Sequence, residues 1–184
     1  LTQKGRAKTW KVSGDPTEAA LSVFSQKMGF KKDDLQRELP KIDEIPFNYE
    51  YRYHAVLSQD GRKNIISIVG APEAILRLSS KIWLSEGRKN LDSEGRKRIK
   101  STFADMSKRG LRVLAFAFRD SEGQELKKSN INNLIFAGFF GIRDELRKNV
   151  AQSVALAKNA GIRLAMATGD NEITAKAIAK EAGI

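Results

Sequence analysis

The chain's apolar positions switch between two spacings. Ala20, Leu21, Phe24 and Met28 recur at helical intervals behind Asp15-Pro16-Thr17-Glu18, and Gly29 follows. Asp15 reads as the N-cap, Pro16 as the first helical residue and Glu18 as the third, a capping-box-like start. EIPFNYEYRYHAVL (44–57) instead alternates in its second half and is rich in Tyr, which predicts a strand. Asp60-Gly61 predicts a hairpin turn, with NIISIVG (64–70) as the return strand. GAPEAILRL repeats the earlier grammar, with Pro72 and Glu73 opening a short helix. Asp92 or Ser93 caps a helix running to about Lys108 and closed by Gly110. Residues 111–120 and 134–142 are apolar and aromatic enough for buried strands, with a polar loop between them.

The pattern then changes. Residues 145–161 place Val150, Val154 and Leu156/Ala157 on one side of a helix that stops at Gly161. IRLAMAT (162–168) predicts a strand, and GDNEITAKAIAKEAG a helix with Ile173, Ala177 and Ile178 inward. The first part therefore reads as α+β, an antiparallel sheet flanked by helices. The last part reads as a partial α/β, Rossmann-like segment. Periodicity alone starts this second unit at the strand 134–142. A parallel sheet needs neighbours and covered faces, so the tail reads as a piece of a larger domain. The pentapeptide SEGRK occurs at 85–89 and again at 93–97; no solenoid has that unit.

Apolar residues at 41%, charged residues at 30% and a mean hydropathy of −0.43 fit a soluble protein with a real core. No apolar run approaches the ~20 residues of a membrane span. LTQKGRAKTW has basic residues but no apolar stretch behind them, so it does not read as a signal peptide. With no cysteine, disulfides and thiolate chemistry are excluded. A net charge of +11 favours anionic ligands. The basic residues are densest in 87–100, which reads as a solvated basic face, since no nucleic-acid motif accompanies them.

There is no G-x-x-x-x-G-K-[ST] loop and no G-x-G-x-x-G. His54, the only histidine, lies in a predicted strand with no cysteine and no second histidine to join it, and reads as a half-buried packing residue. Thr168-Gly169-Asp170 differs. Ligands of α/β folds bind at the carboxyl ends of parallel strands, where a hydroxyl and an acid can meet phosphate or Mg2+. By itself the segment also suits a plain turn and helix cap.

The ordered set GDPTEAAL, PF-x4-R, GAPE, RGLRVLAFAFRD, FFGIRDELR and MATGDN-x2-TA-x-AIA-x-EAGI resembles the P-type cation-transporting ATPases, along nearly the whole chain. The likeness is best to the branch that carries Ca2+, Na+/K+ or H+. It implies a nucleotide-binding domain over 1–142 and a partial phosphorylation domain of haloacid-dehalogenase type over 143–184. It implies ATP as ligand, with Mg2+ accompanying ATP in the parent pump and no metal ligands in this chain. Phe47 would stack on adenine, and Glu18, with Thr17 beside it, would accept from the exocyclic amine. Arg52 would stand near the nucleotide, Arg112 would reach the phosphates, Leu114 would form part of the adenine wall, and Gly70-Ala71 the pocket floor. Asp144 and Arg147 would belong to the hinge. Thr168, Gly169 and Asp170 would belong to the parent's phosphorylation site. From the residues alone, Phe47 also reads as core, Glu18 as a capping residue and Arg112 as a solvated charge.

Two departures stand out. Val69 occupies the place of the family's lysine before GAPE, and Asp144-Glu145-Leu146-Arg147 lacks the prolines of the family's hinge. None of the ten aspartates lies in D-K-T-G. The expectation is a soluble piece of a longer pump, a cytosolic domain of an integral membrane protein. It would bind ATP without being phosphorylated. Its partners would be the pump's own phosphorylation, actuator and transmembrane domains, not nucleic acid. The alternatives are a haloacid-dehalogenase-type phosphatase fragment and a basic anion- or nucleic-acid-binding module.

Overall fold

The computed structural model describes residues 2–4, 9–11, 15–143 and 146–184. Asp15 has extended backbone, and its Oδ1 accepts from the N–H groups of Thr17 at 2.7 Å and Glu18 at 3.2 Å. This satisfies two donors that the first helical turn leaves free. The same bonds hold the Asp15 carboxyl below its usual pKa. Helix α1 (Pro16–Lys27) follows as expected. It is preceded by strands β1 (Thr2–Lys4) and β2 (Thr9–Lys11), which pair antiparallel with Thr2 opposite Lys11.

Helix α2 (Lys32–Glu38) was not legible from apolar spacing. Its charges explain it better: Asp33 and Asp34 lie in the first turn and Arg37 in the last, each complementing the helix dipole. The main sheet comprises β3 (Lys41–Ile45), β4 (Tyr53–Asp60), β5 (Lys63–Gly70), β6 (Ser79–Leu84), β7 (Gly87–Asn90), β8 (Arg112–Ser121) and β9 (Leu134–Ile142). Helices α3 (Pro72–Leu78) and α4 (Ser93–Lys108) lie between strands in sequence. The spatial order is β3-β4-β5-β8-β9-β6-β7. All neighbours are antiparallel except β6 and β9, which run parallel. The expected α+β sheet flanked by helices is present, with one parallel joint that periodicity does not reveal.

Alternation sorts the strand residues between two faces. Tyr53, Ala55 and Leu57 of β4, Ile66 and Ile68 of β5, and Val113, Ala115 and Ala117 of β8 are buried. Most of them form one core with Ile75 and Leu76 of α3, Ile99 of α4, and Leu134 and Phe136 of β9. In β9 the register slips opposite Phe116/Ala117, where Gly138 has φ 148°. That bulge turns Phe136 and Phe139 together, with ring centroids 5.1 Å apart, and leaves Phe140 against α1.

The basic segment 87–100 is not uniformly a solvated face. It supplies edge strand β7 and the start of α4, and half-buried Arg96 donates to the carbonyls of Leu76 at 2.7 Å and Ser79 at 2.6 Å. The guanidinium thus satisfies two carbonyls at the end of α3.

Beyond β9 the outcome is mixed. Helix α6 (Glu172–Ala182) forms as its spacing predicts, whereas the helix expected over 145–161 is present only as α5 (Val150–Asn159) and buries none of its residues. The strand expected at 162–168 does not form. Among the described residues no strand pairs with it, and Ile162 is 55% exposed. An apolar run becomes a strand only where a neighbour completes its hydrogen-bond ladder. Helix α6 packs back on α4. Thr174 Oγ1, buried, donates to the Leu111 carbonyl at 3.0 Å, and Arg143 pairs with Glu181 at 3.0 Å.

Candidate functional site

Strand register gathers several of the sequence's candidates at one end of the sheet. Gly70 lies opposite Tyr53 on one side and Ala115 on the other. The Arg52 carbonyl accepts from the Ala71 N–H at 2.9 Å, so the chain entering β4 meets the chain leaving β5. A Cβ on Gly70 would collide with that carbonyl oxygen and sit 2.7 Å from Tyr53 Cα. Glycine is therefore required there by a backbone crossing. Arg52 itself has φ 61°, a left-handed conformation unusual for a non-glycine residue. Its guanidinium pairs with Glu73 of α3 at 2.5 Å.

The second cluster joins three distant segments. Arg112, the first residue of β8, donates from Nη1 to Thr17 Oγ1 at 3.1 Å. It also donates from Nε at 3.1 Å and Nη2 at 2.8 Å to a single oxygen of Asp170. Thr168 Oγ1 donates to the other Asp170 oxygen at 3.1 Å and accepts from the Asp170 N–H at 3.1 Å. Thr17, Arg112, Thr168 and Asp170 are thus one hydrogen-bonded set. Gly169 lies between them with open space around it and no left-handed φ.

A cavity of about 460 Å3 opens on the sheet face opposite the core. His54, Val56, Ser67, Val69, Phe116 and Phe118 are among its walls. Leu114 lies on the same face of β8, two residues nearer Arg112. Helix α1 borders this face through Phe24, whose ring meets Phe140 edge-on at 4.4 Å; Phe140 in turn touches Phe116 at 5.4 Å. The far end is bounded by Phe118 and Trp83, over which Arg88 lies while donating to both oxygens of Asp120.

The remaining candidates are less gathered. Phe47 is 53% exposed in the turn before β4 and meets Tyr49 edge-on at 5.3 Å, so it is not a core residue. Glu18 is exposed in the first turn of α1, one residue from Thr17. Arg147 is exposed, and its carbonyl accepts from Val150. Asp144 lies outside the described residues. His54 is half-buried as expected, yet it also walls the cavity, as do Val56, Ser67 and Phe116. The period of two along β4 and β5 puts these residues on the second face, which their apolar character (Val56, Val69) did not mark as open.

This arrangement can do two things chemically. Arg112 presents a planar donor fork suited to phosphate or carboxylate oxygens. Further along the same face, the cavity offers apolar and aromatic walls to a flat ring. Among the described residues no group of three His, Asp or Glu side chains gathers to hold a metal ion.

The family described as P-type ATPase, cytoplasmic domain N, matches residues 1–149, and this chain belongs to it. It is 38% identical over 182 residues to the cation-transporting ATPase pma1 of Synechocystis, covering 97% of this chain and 20% of that protein. It is 32% identical to calcium-transporting ATPase 1 of Lactococcus lactis, covering 93% of this chain and 20% of that protein. For the sodium/potassium-transporting ATPase subunit alpha-4 of Rattus norvegicus the figures are 33%, 94% and 18%. The chain thus spans about a fifth of the length of these relatives. No helix among the described residues is long and apolar enough to cross a membrane.

Proposed function

We propose that this chain binds ATP at the rim of the open sheet face, as the nucleotide-binding part of a cation-transporting ATPase. The observation that carries the reading is Arg112. It sits where α1 and β8 meet, on the sheet face that carries Leu114 and, four residues further along β8, the Phe116 wall of the apolar cavity, within a domain of the P-type ATPase family. Adenine lies against Leu114 and Val69, with Phe47 closing over it. Its exposed ring is free to stack, worth ~1–3 kcal/mol where bases meet aromatic residues. Glu18 accepts from the exocyclic amine, a bond that the carbonyl of guanine does not offer. Arg112 bonds the phosphates. Arg52 is already paired with Glu73, so it contributes at most after that pair opens.

In a parent pump, Mg-ATP held here is carried to an aspartate in the neighbouring phosphorylation domain. Phosphoryl transfer there depends on position and charge neutralisation. The resulting phosphoenzyme drives cation transport. Residues 143–184 contribute to that neighbouring domain, where 162–168 gains a strand partner and Thr168-Gly169-Asp170 joins the phosphorylation site. Asp144 and Arg147 take part in the hinge. The chain alone binds nucleotide without hydrolysing it, and works as a cytosolic part of a membrane protein beside its actuator and transmembrane domains.

The test is titration of the chain with ATP and GTP, followed by amide chemical shifts. ATP is expected to shift Glu18, Phe47 and Gly70, with GTP binding more weakly. Silence toward ATP at millimolar concentration, or equal binding of GTP, would overturn the reading.

A further inference from the structure

We propose that Asp170 is a built-in phosphate mimic that latches the tail onto Arg112, so that nucleotide phosphates and the docked tail compete for one guanidinium. The proposal rests on Arg112 being the phosphate-binding residue. One carboxylate oxygen of Asp170 occupies the Nε and Nη2 positions at 3.1 and 2.8 Å, the edge a phosphate oxygen would take. Thr17 holds the Nη1 position at 3.1 Å. The Asp170 side chain is 21% exposed, while that of Arg112 is 52% exposed. The carboxylate is therefore the more enclosed partner, and the arginine stays accessible to a competitor.

The latch is braced from both sides. Thr168 bonds the free Asp170 oxygen. Following Asp170, α6 is anchored by the buried Thr174 hydroxyl on the Leu111 carbonyl, one residue before Arg112. Ile178 and Ala177 lie beside Gly110, and Glu181 pairs with Arg143. These contacts place a negative charge beside the guanidinium before any ligand arrives. A nucleoside without phosphate has no quarrel with that charge. A triphosphate must displace it, and displacement frees the segment 168–182. By linkage, the docked tail weakens phosphate binding by the same factor by which phosphate weakens docking, so loosening α6 favours phosphate.

The experiment compares the whole chain with D170N and with Thr174→Val, which loosens α6 without touching Arg112. Calorimetry measures adenosine, ATP and tripolyphosphate, and amide exchange follows residues 172–182. Both variants are expected to bind ATP and tripolyphosphate about three- to tenfold more tightly, the scale of a partly exposed charge pair. Adenosine affinity stays unchanged. In the unaltered chain, ATP and tripolyphosphate speed exchange in 172–182, and adenosine does not. Equal or weaker ATP and tripolyphosphate binding by D170N overturns the latch, and so does unchanged or slowed exchange on adding either anion. If no form binds adenosine, the nucleotide reading fails, while tripolyphosphate still decides the latch.

Discussion

Leu57 in β4 has no accessible surface, whereas Leu156 in α5 keeps 64% of its surface in solvent. Both occupy the apolar side of a well-formed amphipathic pattern. Leu57 lies in a strand with neighbours on both edges and helices α3 and α4 over its face. Leu156 lies in a helix with no buried residue. A pattern names the face that seeks cover, and only a second layer supplies it. The sheet has its layers; after β9, α6 docks on α4, α5 touches only α6 closely, and 162–168 pairs with no strand among the described residues.

The contrast can be pressed by mutation. Leu57→Ala is expected to cost about 2–5 kcal/mol in denaturant unfolding, as buried leucines do. Leu156→Ala should stay within about 0.5 kcal/mol. A large loss for Leu156 would mean that α5 is packed after all. Gly70→Ala should cost about 1–3 kcal/mol, because the new methyl meets backbone at the Arg52–Tyr53 crossing. If it folds with unchanged stability, the crossing is looser than its hydrogen bond suggests.

Asp15→Ala is expected to cost about 1 kcal/mol at neutral pH, from loss of the α1 cap. Its pH dependence has a defined sign. The folded carboxyl titrates below its ordinary value of 3.8. The contribution is therefore complete above that value and disappears as pH falls through the lower folded one. Stability curves of the two proteins should converge in acid. A gap that persists at the lowest pH would show that the charge is not what caps the helix.

Much of the sheet was legible because its strands are long, apolar and flanked by turn residues. The hairpin at Asp60-Gly61 and the caps at Asp15 and Asp92 follow from local chemistry alone. The pentapeptide SEGRK shows where local reading stops. At 85–89 it turns a hairpin and enters β7, with Gly87 at φ 103° and Arg88 reaching Asp120. At 93–97 it opens α4, with the Asp92 carboxylate accepting from Gly95 at 2.7 Å. The same five residues obey what precedes and follows them: a cap and helical apolar spacing in one case, a partner strand in the other. The short strands β3, β6 and β7 escaped for that reason. Their own alternation is brief, and although β3 and β7 pair with strands close in sequence, β6 depends on the distant β9.

At the site, residue chemistry pointed to Arg112 but not to what holds it. The Thr17 and Asp170 contacts span 95 and 58 positions, beyond any spacing rule. Gly70 was expected to keep a pocket floor bare, and the backbone crossing at Arg52–Tyr53 is a second demand for glycine there, which spacing does not reveal. The family match reaches residue 149 and supports the resemblance as a family, without assigning roles to individual side chains.

Strand β9 is hydrogen-bonded along both edges, to β8 on one side and to β6 on the other. The hairpin β6–β7 therefore has no permanent berth until residues 134–142 exist. During synthesis β3, β4 and β5 can assemble as soon as they emerge, while 79–90 must wait for a segment made some fifty positions later. Trp83, with half its surface still outward even in the finished sheet, spends that interval uncovered. Slow translation between 91 and 133 would lengthen the exposure, and a helper that shields aromatic side chains would find its first opportunity there.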